Sequence, residues 1–403
     1  MEVKAKHRIE SIDLLRGVVM ILMALDHARM YFAYGFFFSE PTELATTTPF
    51  LFFTRWITHF CASVFVFLAG TSAFLYGTRR NSVKAVSWFL FTRGVWLVFI
   101  EVVIIRFAWT FDITFSTIIL QVIWAIGMSM IFLSILVFLP RWLIFAIGVI
   151  MVFGHNIFES LTVHYFDTVG TGAITAKDLI LYILHQPNFI VISPGFVVNV
   201  VYPLIPWLGL MGLGYLFGTL YRKDYQPAKR KRFLLWVGIG SVVLFFVLRA
   251  FNLYGDPKPW SPQDSLVFSI ISFFNVTKYP VSLLFLLITL GPSLIFLYLT
   301  ENINNKVTDF FIVFGRVPFF FYVIHIYFIH LLAFIGIAFA GRGAGELILT
   351  SRAFMSGSLA DYGYSLWVTY LVWIFVVFIL YPVCKWYNSY KANNRSKWWL
   401  SYL

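Results

Sequence analysis

Ser11-Ile12-Asp13-Leu14-Leu15-Arg16-Gly17 leads into the apolar run 18–25, and Asp26-His27 then follows where a bilayer-crossing helix should stay apolar. Ionisable groups inside such a helix are costly, so they face a protein interior or a wet cavity and mark function. Arg16 and His27 are eleven residues apart. At 100° per residue that is three turns plus about 20°, so both lie on one helix face, roughly 16 Å apart along the axis. One helix therefore presents a cation near its start and a titratable imidazole near its end, towards the same side.

The rest of the chain repeats the hydrophobic theme. Of its 403 residues, 60% are hydrophobic and 12% charged, and apolar runs long enough to cross a bilayer recur along the whole length. This composition predicts an all-α integral membrane protein in one polytopic domain, 1–403. No polar stretch is long enough to build a separate soluble core. The first hydrophobic stretch contains Asp26, His27 and Arg29 and lacks a small-residue cleavage pattern, so it does not read as a signal peptide. Cys61 and Cys384 both fall in predicted spans and imply no disulfide framework. The net charge of +12 does not indicate nucleic acid, because no basic domain exists to bind it.

Ten spans are predicted, at 11–36, 54–77, 86–105, 114–139, 142–158, 196–221, 233–251, 279–299, 309–338 and 364–384. Lys and Arg concentrate before the first span, around Arg79–Lys84, in 222–232 and near the C-terminus. The alternate loops hold only Arg55, Arg106, Lys177, Lys258, Lys278, Arg342 and Arg352. That asymmetry predicts both termini inside. His27 and His59 then lie towards the outer side and Arg16 near the cytoplasmic side. His59, Ser63, Gly70 and Ala73 share a face, a small-residue stripe that lets another helix approach closely. The outer loops 159–195 and 252–278 are the long ones, and within them 178–184 and 266–274 are too short to span and read as interfacial or re-entrant pieces.

Several stretches resemble a known family. They are Arg8 through His27, Trp56-Ile57-Thr58-His59-Phe60-Cys61-Ala62 into Phe67-Leu68-Ala69-Gly70, Asn275-Val276-Thr277-Lys278-Tyr279-Pro280, Gly315-Arg316-Val317-Pro318 through Tyr322 and His325, and the closing 398–403. Over essentially 8–402 the chain resembles the bacterial membrane proteins grouped with heparan-alpha-glucosaminide N-acetyltransferase, among the transmembrane acyltransferases. The resemblance implies transfer of an acetyl group from cytoplasmic acetyl-CoA to an amine or hydroxyl of a sugar on the far side of a bacterial inner membrane. The spacing of Arg16 and His27 is also similar to the Arg-x10-His motif of the large membrane O-acyltransferase family, whose matching His acts in transfer. One departure matters. The heparan enzyme has Asn where this chain has His27, and its catalytic His lies in the following loop, where 38–54 here contains none. Either His27 or His59 takes that role.

Acyl transfer needs a base for the attacking group, donors for the developing oxyanion and exclusion of water. The candidate catalytic residues are His27, His59 and His325, each read against a structural histidine satisfied by its neighbours. Arg16 and Arg316 are candidates for the donor's phosphates. Arg16 can instead pair with Asp13 at i, i+3, and Arg316 can cap carbonyls or snorkel. Lys278 and Asp26 are candidates for substrate binding, with interfacial anchoring as the plainer role for Lys278. His155, His164 and His185 lack metal-ligand spacing, so no metal is expected. The partners expected are acetyl-CoA, a sugar or glycan acceptor and membrane lipids, with a homodimer allowed. A proton-coupled transporter or exporter of a glycan or lipid intermediate is the rival reading, since intramembrane Arg, Asp and His suit that too. A membrane scaffold is the third.

Overall fold

The computed structural model describes residues 9–35, 40–78, 80, 82–161, 175–357, 359–394 and 396–401; His164 lies outside them. The first half carries α1 (Glu10–Phe32), α2 (Pro49–Ile57), α3 (Phe60–Gly77), α4 (Val83–Ile100), α5 (Arg106–Thr110), α6 (Val122–Leu136), α7 (Arg141–Gly154) and α8 (Ala176–Leu184). The second half carries α9 (Ile205–Phe217), α10 (Pro227–Ala250), α11 (Leu266–Phe274), α12 (Leu283–Thr300), α13 (Lys306–Arg316), α14 (Pro318–Phe339), α15 (Ser351–Ser356) and α16 (Leu366–Asn393). Three strands accompany them, β1 (Thr117–Leu120), β2 (Asn188–Ser193) and β3 (Phe196–Val200).

Seven helical stretches among the described residues are long and apolar enough to cross a membrane, as in an integral membrane protein. The other expected spans differ. Helices α6 and α9 are shorter, and α1 carries Glu10, Asp13, Arg16, Asp26 and Arg29. The pieces expected to be too short to span are the short helices α8 and α11.

The sheet corrects the all-α expectation. Residues 114–139 and 196–221 are not helical from their starts: β1 and β3 occupy 117–120 and 196–200. Strand order is β1-β3-β2, with β1 parallel and β2 antiparallel to β3. The physical reason is local. β2 and β3 are rich in β-branched residues and flank Pro194-Gly195, where Gly195 has φ 88°, a turn conformation that favours glycine. The expected span 309–338 is also two helices. Pro318 lacks an N–H and pushes the preceding residue out of helical geometry, and Val317 sits at φ −131°, ψ 46°.

Close helix packing follows a shared rule. α1 meets α13 through Gly17 and Gly315, α3 meets α9 through Gly70 and Gly214, and α4 meets α6 through Gly94 and Gly127. α7 and α9 meet through Gly148 and Gly209, and α10 and α12 through Gly238 and Gly291. In each pair a side-chain carbon at one glycine would press on the partner's backbone, side chains or both. Small residues let helices approach to backbone contact where apolar surroundings remove the usual drive to associate. α1 packs against α13 in this way and is also flanked by α3, α12, α14 and α16. Its charges Asp13, Asp26 and Arg29 are therefore buried, and each needs a partner.

Candidate active site

His27 on α1 and His325 on α14, both buried, meet side by side. Their Nδ1 and Nε2 atoms are 2.7 Å apart, with ring planes 9° from parallel. The other nitrogen of His325, Nδ1, lies 2.7 Å from the Phe321 carbonyl oxygen. That oxygen can only accept, so His325 Nδ1 carries a proton. In neutral His325, Nε2 then accepts, and His27 Nδ1 donates to it. The tautomer assigned by this chain leaves His27 Nε2 with a lone pair. Trp109 holds the His27 ring edge-on, with centroids 4.7 Å apart.

His27 lines a cavity of about 210 Å³. Its walls come from α1, α2, α3, the end of α5, the sheet and the turn before α12. Ile119 and Asn199 belong to β1 and β3, so the unexpected sheet builds one wall. Gln121 continues that wall, and Glu101 fixes its backbone: the carboxylate accepts from Gln121 N at 3.3 Å and Trp124 N at 3.2 Å. Glu101 opens a π-helical turn, Glu101–Ile105, between α4 and α5. The widened turn is a common device at functional sites.

Asp26 is fully engaged. One carboxylate oxygen takes Arg29 Nε and Nη2, both at 3.2 Å, and the other takes Arg55 Nη1 at 2.8 Å. This clamp ties α1 to α2 at the cavity wall. Lys278 lines the same cavity, with Nζ 5.1 Å from the Tyr279 ring centroid.

Arg16 and Arg316 sit together at the other end of α1. Arg16 donates to Asp13 at 3.3 Å, to the Gly315 carbonyl at 3.4 Å and to Ser72 Oγ at 3.0 Å. Arg316 lies 3.7 Å from Glu10 and 3.9 Å from Asp13. Among the described residues His59 makes no hydrogen bond or ring contact with the His27–His325 pair. It is buried at the start of α3, its ring 5.0 Å from that of Phe285, and its Nδ1 makes no hydrogen bond. His330, five residues beyond His325 and on a different face of α14, bonds instead to the carbonyls of Ala108 and Leu347. His155 and His185 pack together elsewhere, 6.2 Å apart. No group of metal-holding side chains occurs among the described residues.

Sequence reasoning did not single out Arg55, Trp109, Gln121, Asn199, Tyr202 or Tyr322, all of which line the cavity. Only Arg55 gave a signal, as a cation beside an apolar run. The arrangement can hold a small polar group beside an unprotonated imidazole nitrogen, walled off by aromatic rings.

No curated protein matched the chain. Residues 8–249, more than half of it, match the family described as heparan-alpha-glucosaminide N-acetyltransferase, catalytic. That match includes His27 and the Asp26–Arg55 clamp, whereas Lys278 and His325 lie beyond it. By its sequence over those residues, the chain belongs to the heparan-alpha-glucosaminide N-acetyltransferase family, a family of membrane acetyltransferases.

Proposed function

We propose that the protein transfers an acetyl group from acetyl-CoA to an amine or hydroxyl of a sugar, with His27 as general base and His325 as the residue that positions it. The observation that carries this reading is the hydrogen-bonded chain from the Phe321 carbonyl through His325 to His27, which ends at a cavity. As the acceptor attacks the thioester carbonyl, His27 Nε2 takes its proton. The new C–N or C–O bond forms, the C–S bond breaks, and the leaving thiolate recovers the proton. His325 keeps His27 in the tautomer with Nε2 free. The donor's phosphates are assigned to Arg16 and Arg316, roughly 16 Å along α1 from the base. With the termini inside, that end faces the cytoplasm of a bacterial inner membrane, and the acceptor enters from the far side. His59 is assigned a supporting place behind the cavity wall, next to Thr58, which lines it.

The test is turnover of labelled acetyl-CoA by protein purified in detergent. His27→Ala should lose roughly 10²- to 10⁴-fold, the usual worth of a positioned base. His325→Ala should lose less and should alter the pH profile, because it removes the acceptor for His27 Nδ1. Wild-type turnover that His27→Ala leaves intact would refute the assignment, and absence of donor binding would favour transport.

A further inference from the structure

Lys278 is a buried lysine with no carboxylate in ion-pair contact among the described residues. It is 9% exposed and lines the His27 cavity. Its only described polar-to-ring contact is the face of Tyr279. The acids around it are committed. Asp26 serves Arg29 and Arg55. Asp256 holds the turn itself, accepting from Thr277 N at 2.8 Å, Thr277 Oγ1 at 2.9 Å and Ser282 Oγ at 2.7 Å. Glu40 lies at the exposed rim, bonded to Thr42 at 2.9 Å. Three cations, Arg29, Arg55 and Lys278, thus share the cavity with two carboxylates, Asp26 and Glu40.

Burying an ammonium without a counter-charge is costly. Here Asp256 fixes the turn on both sides of Lys278, at Thr277 and Ser282, so the point from which its side chain reaches the cavity is set. A site preorganised in this way suits an anion that arrives with the ligand.

We propose that Lys278 recognises an acidic group, a carboxylate or a phosphate ester, on the sugar acceptor, and so selects acidic sugars over neutral ones. This rests on reading the cavity as the acceptor site. Lys278 acts on selectivity, and the proton chemistry stays with His27.

The experiment is calorimetric binding in detergent without acetyl-CoA, using glucosamine, glucosamine 6-phosphate and a glucosamine–glucuronate disaccharide. Wild type should bind at least one charged probe roughly ten-fold or more tighter than glucosamine, the scale of one charge-assisted hydrogen bond. The probe that wins tells phosphate from carboxylate. Lys278→Gln should bring the acidic probes and glucosamine, which carries no acidic group, close together, and Lys278→Arg should retain a preference. If Lys278→Gln does not fold, the wild-type preference must still shrink as salt rises. Equal binding of all three probes, no binding of either charged probe, or a preference undiminished in Lys278→Gln overturns the proposal. A charged-probe preference in a protein that never turns over acetyl-CoA would leave the anion site standing and remove the acyl-transfer reading instead.

Discussion

At the residue scale, partners decide which buried polar groups can act. Asp26 and His27 are adjacent in sequence, yet one is locked between two arginines and the other keeps a ring nitrogen for the cavity. His185 shows the opposite condition, burial without use. Both of its ring nitrogens lack hydrogen bonds, and burial, with His155 close by, pushes its pKa down to about 4. In the unfolded chain the imidazole takes a proton below about 6.5. Between those values the unfolded state binds more protons, so this residue makes stability fall as pH falls from about 6.5 towards about 4. Melting temperatures measured from pH 7 to pH 5 should drop less in His185→Gln than in wild type. Identical slopes would show that His185 does not titrate in this way.

At the element scale, glycine pairs set the helix spacing and thereby the site. α1 and α13 touch through Gly17 and Gly315, and a methyl group on Gly17 would meet the Phe311 carbonyl, which is backbone and cannot rotate aside. Gly17→Ala should therefore destabilise by about 1–3 kcal/mol, the usual result of overpacking. The same shift would disturb Arg16, which bonds to the Gly315 carbonyl. Detergent melting and acetyl-CoA affinity should both weaken; a variant with wild-type melting would show that α1 and α13 tolerate a wider separation. The break at Val317-Pro318 has a comparable positional effect. It lets α13 pack along the Arg16 end of α1 while α14 brings His325 to the other end.

At the scale of the whole molecule, charge asymmetry predicts the orientation. Reporter fusions at the C-terminus and in the 222–232 loop should report a cytoplasmic location, and one in the 252–265 loop an external one. The reverse pattern would place the donor end of α1 outside and defeat the proposed route. Much of this was legible in the sequence. Apolar runs determine the helices because a backbone in hydrocarbon must satisfy its own hydrogen bonds. Arg16, Asp26 and His27 were legible because charge is rare in such runs. The sheet was less so: Pro194-Gly195 between β-branched runs was its only local mark, hidden by hydrophobicity that a membrane helix shares. His27, His325, Asp26 and Lys278 were each marked singly, but that His27 bonds His325 and that Asp26 clamps Arg55 was not. These groups come from segments up to 298 residues apart, and only helix packing decides which side chains meet. The chain by itself determined a membrane-embedded helical protein with a charged first helix. Tertiary structure chose its partners, because a buried polar group is defined by what it touches, and sequence spacing measures contact only within one element.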